Sequence, residues 1–187
     1  MPLVLQVMLY LIAVSFFVVL AVVLIIHLIQ EVTGRAPFIP ISQDVLADIV
    51  AALELKDGSV MYDLGSGDGR VVLAAALANP NIKAIGVERS FLPYVVSHAE
   101  RKYRGAKNAD FVRADFFDVP VGDATHVFLY LFPGLMNSLL PKFQKELKPG
   151  SRVVSCDFKF ADKQPVKVID LHRKRYNLGR KIYIYEF

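Results

Sequence analysis

The chain has 187 residues and a formal net charge of +4, with 54% hydrophobic and 21% charged residues. This composition excludes disordered and collagen-like chains, which contain far fewer apolar residues. The length fits one globular domain with a short segment left over. The excess of apolar residues is concentrated in residues 3–29, which carry no charged side chain.

The segment 3–29 is long enough to cross a lipid bilayer as a helix. At about 1.5 Å per residue it would measure about 40 Å, whereas a hydrocarbon core is about 30 Å thick. No Lys or Arg precedes it, and its end at His27 to Glu31 lacks the small residues of a cleavage site, so we expect an anchor and not a cleaved signal peptide. Residues 1–30 are therefore predicted to form a single-pass transmembrane anchor.

Basic residues follow the apolar segment, beginning with Arg35, Lys56 and Arg70. Loops that stay in the cytoplasm or the mitochondrial matrix are enriched in Lys and Arg. The domain is therefore predicted to face that side of the membrane. The single cysteine, Cys156, permits no internal disulfide, which fits a reducing compartment.

Residues 31–41 are predicted to be a linker. One glycine and two prolines between Thr33 and Pro40 prevent a helix from continuing through this segment. Ser42 is then predicted to cap a helix over residues 43–53, which has an apolar stripe at helical spacing. The domain itself is predicted to occupy residues 42–187.

Strands and helices alternate along the predicted domain. This alternation predicts a mostly parallel sheet with helices on both faces, a Rossmann-like, doubly wound α/β fold. The last two strands alternate with period two and are predicted to form an antiparallel hairpin at one edge. The predicted strands are 59–64, 82–87, 109–113, 126–131, 152–157, 166–171 and 181–187, and the helices between them are 69–78, 91–103 and 134–147.

A glycine-rich segment, Asp63-Leu64-Gly65-Ser66-Gly67-Asp68-Gly69, follows the first predicted strand. Alternate glycines allow a sharp turn and let the backbone approach a ligand at the carboxyl end of the strand. A dinucleotide site has the spacing G-x-G-x-x-G and holds a pyrophosphate, whereas this loop reads G-x-G-x-G. Its two carboxylates, Asp63 and Asp68, disfavour a pyrophosphate and favour a ligand with an ammonium or sulfonium charge.

Two further acidic residues follow the next two predicted strands. Glu88 ends the second strand, where a carboxylate about 20 residues beyond the loop usually accepts the hydroxyls of a ribose. Asp115 follows the third strand and is placed to accept a hydrogen bond from an adenine amino group, with Phe116 near the ring. Taken singly, Glu88 also suits a solvated strand end and Asp115 a surface turn. Their combination with the glycine-rich loop indicates a nucleoside ligand.

These residues resemble the class I, seven-β-strand, S-adenosylmethionine-dependent methyltransferases. Residues 63–69 look like the first motif of that family, Glu88 like its ribose-binding acid and Asp115 like its adenine-binding acid. The resemblance implies a seven-stranded sheet ending in an antiparallel hairpin, with S-adenosyl-L-methionine as cofactor. It implies a cofactor site formed by Asp63, Gly65, Ser66, Gly67, Asp68, Gly69, Glu88, Asp115 and Phe116.

The apolar span, the segment 37–40 and the short domain are more specifically similar to the membrane-associated protein lysine methyltransferases, the group of the ATP synthase c-subunit lysine methyltransferases. This similarity implies methylation of a lysine on a membrane protein, with residues 37–40, including Pro37 and Phe38, against the cofactor. The fourth predicted strand ends in Tyr130-Leu131-Phe132-Pro133-Gly134, without the Asn-Pro-Pro-Tyr or D-x-x-Y patterns of other methyltransferases of this fold.

Tyr130 and Phe132 are the candidate catalytic residues. A lysine amine, with a pKa of about 10.4, must lose its proton in a partly desolvated site before it attacks a methyl group in line. Both rings would line such a site at the end of the fourth strand, and Tyr130 would accept a hydrogen bond from the amine. The alternative is that the rings only pack between sheet and helix. No dedicated base is identified.

Other chemistries find no support in the sequence. Four scattered histidines and one cysteine do not make a zinc site, so no metal is predicted, and neither a G-x-S-x-G nor a Walker sequence occurs. Basic clusters near 101–107 and 173–181 are interpreted as solvated surfaces or as contacts with an anionic membrane surface. Because the net charge of the chain is only +4, no nucleic-acid partner is predicted. Methylation of a quinone or lipid, and a non-catalytic cofactor-binding scaffold, remain as alternatives.

Overall fold

The computed structural model describes residues 3–33, 39–171 and 180–187, and the chain divides into two compact units between Ile39 and Pro40. The first unit contains one helix, α1 (Leu3–Thr33). Its stretch Leu3–Ile26 has a mean hydropathy of 3.2, and none of that stretch is buried. The predicted helix is thus confirmed, and its length and composition are those of a membrane span. Spanning itself stays a prediction.

The second unit is built on a seven-stranded mixed sheet with the order β3-β2-β1-β4-β5-β7-β6. The first five strands run parallel, and β7 pairs antiparallel with both β5 and β6. The central strands are apolar on both sides, as strands covered on two faces must be. The strands are β1 (Val60–Leu64), β2 (Lys83–Val87), β3 (Ala109–Val112), β4 (His126–Leu129), β5 (Arg152–Cys156), β6 (Lys167–Asp170) and β7 (Lys181–Glu186).

Helices cover both faces of the sheet. On one face lie buried side chains of α2 and α3, such as Leu53 and Leu73, together with Tyr94 of α4. On the other face lies α5, which buries Leu139 and Phe143. The helices of this unit are α2 (Leu46–Leu53), α3 (Arg70–Ala78), α4 (Phe91–Arg104) and α5 (Pro133–Glu146).

The order of strands and helices and the terminal hairpin agree with the sequence predictions, and the element ends from β1 to β7 differ by no more than two residues. Ser42 precedes the helical segment as predicted, but the side-chain cap predicted there is absent. Its side chain makes no capping hydrogen bond, because the hydroxyl donates to the carboxylate of Asp44, and a 3-10 turn (Gln43–Val45) precedes α2. Residues 172–179, within the predicted hairpin connection, lie outside the described residues.

Candidate functional site

The parallel arrangement of β1 to β5 gathers one segment after each strand at a single edge of the sheet, because the carboxyl ends of parallel strands meet there. The residues that follow these strands include most of the predicted site. They are the glycine-rich turn after β1, Glu88 after β2, Asp115 and Phe116 after β3, Tyr130 and Phe132 after β4, and Asp157 after β5.

The glycine-rich turn is fixed against β2. The backbone amides of Gly65 and Ser66 both donate to the carbonyl of Val87, over 2.8 and 3.0 Å. Gly65, Gly67 and Gly69 have φ values of 86°, 56° and 80°, which side-chain-bearing residues rarely adopt. A Cβ at Gly69 would also lie 2.4 Å from the ring of Phe111. The turn therefore requires glycine for its conformation and for its close packing.

The carboxylate of Glu88 holds two backbone segments. Its Oε2 accepts a hydrogen bond from the amide of Gly67 over 2.9 Å, and its Oε1 accepts one from the amide of Ser90 over 2.6 Å. A carboxylate has about four acceptor positions, so both oxygens retain capacity for a ligand hydroxyl. Glu88 is therefore more than a solvated strand end, since it also shapes the turn.

Asp63 is buried, with only 3% of its surface exposed, at the carboxyl end of β1. Burial, followed by the negative charges of Glu88 and Asp68, raises the pKa of Asp63 well above its usual value. Among the described residues, neither Asp63 nor Glu88 forms an ion pair with a basic side chain. A cationic group placed at this turn would relieve that repulsion.

Asp68 differs from Asp63 because Arg70 neutralises it. The Arg70 Nε donates to Asp68 Oδ1 over 2.9 Å, and a second guanidinium nitrogen also contacts this carboxylate. Arg70 also donates to the backbone carbonyl of Ile41. The sequence interpretation that gave Asp63 and Asp68 equal electrostatic roles is therefore corrected. It overlooked Arg70, although the residue directly follows the last glycine.

Asp115 lies in a turn after β3 and is paired there. Its Oδ1 accepts from the amide of Phe117 over 3.1 Å, and its Oδ2 lies 3.3 Å from Nη1 of Arg89. Phe116 is half-buried, packs against the core on the α5 face of the sheet, and lies 4.8 Å from the ring of Phe117. Asp115 thus lies in the surface turn that was considered as its alternative role. Each of its carboxylate oxygens can still accept a further hydrogen bond from a ligand.

Tyr130 and Phe132 belong to an aromatic cluster that includes Phe158. The ring of Phe158 lies 6.2 Å from that of Tyr130 and 5.7 Å from that of Phe132, between ring centroids. Burial, and then the charges of Asp157 and Cys156, raises the pKa of Tyr130 to about 12. Tyr130 also contacts the core, so the packing role that sequence reasoning had weighed is present as well. At neutral pH its hydroxyl is protonated and acts only through hydrogen bonds.

Asp157 is an acidic residue of this edge that sequence reasoning missed. It was predicted as the last residue of its strand, but β5 ends at Cys156 and Asp157 has a left-handed φ of 63°. Its Oδ1 accepts from the backbone amides of Arg180 and Lys181, over 2.8 and 3.3 Å. An acid directly after a predicted parallel strand was the available signal. Pro37 and Phe38, also predicted for the site, lie outside the described residues.

Comparisons with known proteins bear on this geometry. Residues 63–167 match the ANTKMT methyltransferase domain. A protein-lysine N-methyltransferase of Saccharolobus islandicus is 33% identical over 81% of this chain and 93% of its own length. The human ATP synthase c-subunit lysine N-methyltransferase is 32% identical over 66% of this chain, which spans about half of that protein (52%). The mouse adenine nucleotide translocase lysine N-methyltransferase is 34% identical over 72% of this chain and 58% of its own length.

Among solved structures, an RNA methyltransferase of Salinibacter ruber in complex with S-adenosyl-L-homocysteine superposes with a TM-score of 0.73. It is 30% identical to this chain, and the match covers 79% of this chain and 93% of that protein. The TM-score shows that the two proteins share the same fold. The chain therefore belongs to the ANTKMT methyltransferase domain family and is an S-adenosyl-L-methionine-dependent methyltransferase of the class I fold.

Proposed function

We propose that this protein is a membrane-anchored protein-lysine N-methyltransferase that modifies a lysine of a membrane protein. The names of the relatives in Saccharolobus islandicus, human and mouse support a lysine acceptor. The apolar helix α1 supports an anchor, since its length and hydropathy suit a bilayer core. The basic residues after that helix support a domain on the cytoplasmic or matrix side.

The charge distribution at the glycine-rich turn is the observation that carries the cofactor site. The carboxyl groups of Asp63 and Glu88 lie there without a basic partner among the described residues, and the buried hydroxyl of Ser66 has no hydrogen-bond partner among them. Such a site fits S-adenosyl-L-methionine, which supplies a methyl group bound to a positively charged sulfur. The residues assigned to the cofactor are Pro37, Phe38, Asp63, Gly65, Ser66, Gly67, Asp68, Gly69, Glu88, Asp115 and Phe116.

Each acid contributes differently in this proposal. Glu88 accepts the ribose hydroxyls while it holds the amide of Gly67 in place. Asp115 accepts from the adenine amino group and is oriented by Arg89 and the amide of Phe117. Asp68 acts through Arg70, which keeps the turn in contact with the segment at Ile41. The buried Asp63 places an acid at the end of β1, which lies between β2 and β4 in the sheet.

The acceptor lysine would enter beside Tyr130, Phe132 and Phe158. Partial desolvation by these rings lowers the pKa of the amine and so favours its neutral, nucleophilic form. Asp157 lies at the same edge and attracts the ammonium form, and Tyr130 accepts a hydrogen bond from the nitrogen. The ammonium would lose a proton to water before transfer. Bound S-adenosyl-L-methionine would then supply the methyl group, which would bond to the nitrogen lone pair while the electron pair of the carbon–sulfur bond stayed with sulfur.

The full chain in native membranes, supplied with cofactor carrying a radioactive methyl group, tests the acceptor class. We expect label in a membrane protein, recovered as methylated lysine after acid hydrolysis. Label in the organic extract would indicate a quinone or lipid acceptor, and label in RNA would indicate a nucleic acid. Cofactor binding without transfer to any fraction would indicate a scaffold. Glu88→Ala should abolish labelling, whereas Glu100→Ala, at an exposed ion pair on α4, should not.

A further inference from the structure

Helix α4 exposes apolar side chains where a helix packed on a sheet normally exposes polar ones. Phe91 and Leu92 are 62% and 71% exposed, and Val95 and Val96 are also exposed. The inward side of the helix carries the fully buried Ser97 instead. We call Phe91, Leu92, Val95 and Val96 the apolar face of α4. Contiguous exposed apolar residues of this kind mark an interaction surface.

Cationic side chains border the apolar face at its amino-terminal end. The guanidinium of Arg113 lies 5.2 Å from the centre of the Phe91 ring, and its Nε donates to the backbone carbonyl of Arg89 over 3.4 Å. Arg89 is itself paired with Asp115, so Arg113 supplies the net positive charge at this border. Aromatic and aliphatic residues next to arginine are the combination that enters the interface of an anionic bilayer.

The apolar face lies at the edge of the sheet where methyl transfer takes place. Helix α4 begins at Phe91, three residues after Glu88, whose carboxylate binds the amide of Ser90. A bilayer that contacted this face would therefore bring membrane-embedded acceptors to the same edge as the cofactor. A bilayer that holds α1 also presents its surface to the domain at a high effective concentration, since the two units belong to one chain.

We propose that the apolar face of α4 docks into the headgroup region of an anionic lipid bilayer and orients the carboxyl edge of the sheet towards the membrane. The inference rests on the anchor in the proposed function and goes beyond it, because it assigns a second membrane contact to the domain itself. It does not depend on the identity of the methyl acceptor.

The absence of tryptophan from the sequence gives a direct test. Full chains carrying one substitution each, Leu92→Trp, Leu77→Trp or Leu9→Trp, are reconstituted into vesicles of anionic lipid brominated on the acyl chains. We expect quenching of Trp fluorescence of about twofold or more at position 92, since an interfacial helix buries its apolar face about 5–10 Å deep. Position 77, in the last turn of α3 and 51% exposed, is the control and should remain unquenched.

Position 9 reports on the anchor alone. Quenching at position 9 without quenching at 92 would overturn docking and leave the anchor intact, whereas no quenching at either would overturn both. An unquenched but blue-shifted signal at 92 would indicate a second copy of the chain on this face and would also overturn lipid docking. Adding Arg113→Gln to the Leu92→Trp chain should reduce quenching about twofold if the charge contributes as proposed. Unchanged quenching would remove Arg113 from the docking surface.

Discussion

The carboxylate of Glu88 accepts a hydrogen bond from the backbone amide of Gly67 over 2.9 Å, which joins the end of β2 to the middle of the turn after β1. The same carboxylate accepts from the amide of Ser90, at the start of α4. The acid assigned to the ribose therefore also determines the shape of the turn that would contact the rest of the cofactor. Removing this carboxylate should therefore weaken cofactor binding both by loss of the ribose contact and by a change in the shape of the turn.

Replacing Glu88 by Gln should weaken cofactor binding at least about tenfold. One carboxylate oxygen becomes an amide nitrogen, which does not accept from Gly67 or Ser90, and a charge-assisted hydrogen bond contributes about 1.5–3 kcal/mol. Isothermal titration of the full chain in detergent measures the affinity. Glu100→Gln, on α4 and paired with Arg104, is the control. An affinity within twofold of the native value would contradict the assignment of Glu88.

Replacing Asp63 by Asn should stabilise the protein without cofactor and weaken the cofactor complex. The raised pKa of Asp63 means that the folded state favours its protonated form. The stability contributed by protonated Asp63 is fully present below the unfolded-state pKa of about 3.9. It is lost as the pH rises through the folded-state pKa. Asn imitates the neutral form, so we expect a gain of about 1 kcal/mol at neutral pH, or about 2–4 °C in Tm.

The difference in Tm between Asp63→Asn and the native chain should shrink as the pH falls towards the unfolded-state pKa of about 3.9, because the native carboxyl is then neutral in both the folded and the unfolded state. Thermal scans across this range, with and without cofactor, test both halves of the prediction. A variant less stable than the native chain at neutral pH would show that Asp63 is stabilised as an anion by a contact within the fold.

Replacing Arg70 by Met should destabilise the domain by about 1–3 kcal/mol. The substitution leaves Asp68 charged without its partner and removes the donor to the carbonyl of Ile41. Arg104→Met removes an exposed ion pair with Glu100 and should cost less than about 0.5 kcal/mol. Denaturant titrations give both free energies of unfolding. Equal effects from the two substitutions would reject a special role for Arg70.

Two glycines with the same backbone angle separate strain from crowding. Gly58 and Gly69 both have a φ of 80°, but a Cβ at Gly58 meets no atom within 4 Å, whereas one at Gly69 meets Phe111 at 2.4 Å. Alanine at Gly58 should cost about 1–2 kcal/mol from the left-handed conformation alone. Alanine at Gly69 should cost about 1–3 kcal/mol more, from overpacking. Similar free energies of unfolding for the two variants would contradict the close packing of the turn.

Substitutions at Tyr130 and Asp157 should affect the acceptor differently. Since the pKa of Tyr130 is raised to about 12, its hydroxyl does not ionise below about pH 11, and Tyr130→Phe should lower kcat about tenfold without changing the shape of the pH profile. If the rise of kcat with pH disappeared in that variant, Tyr130 would instead be identified as a base.

Replacing Asp157 by Asn should raise KM for a lysine peptide about tenfold with a smaller change in kcat. The charge of Asp157 attracts the ammonium form of the lysine before transfer.

Local patterns were sufficient to predict the elements and most of the edge. The period-two and helical repeats of apolar residues indicated the strand and helix order, and the spacing of the glycines after β1 indicated a close ligand approach. Parallel strands bring their carboxyl ends together by construction, so the strand order alone predicted Asp63, Glu88 and Asp115 at one edge. The hydropathy of residues 3–29 likewise predicted α1. Hydropathy is summed over residues that are adjacent in the sequence, so it requires no knowledge of tertiary contacts.

Only the tertiary structure decided which charges meet. The pairing of Arg70 with Asp68 and with the carbonyl of Ile41, and the turn that takes Asp157 out of β5, depend on the register and ends of neighbouring segments. The exposure of the apolar face of α4 also depends on the tertiary structure. Apolar residues with the spacing of 91, 92, 95 and 96 usually form the buried side of a helix. Here the close contact of Ser97 with the glycine-rich turn fixes the rotation of the helix, because a Cβ at Gly69 would lie 2.9 Å from that of Ser97. Small residues pack at that contact, and the larger apolar side chains remain on the surface.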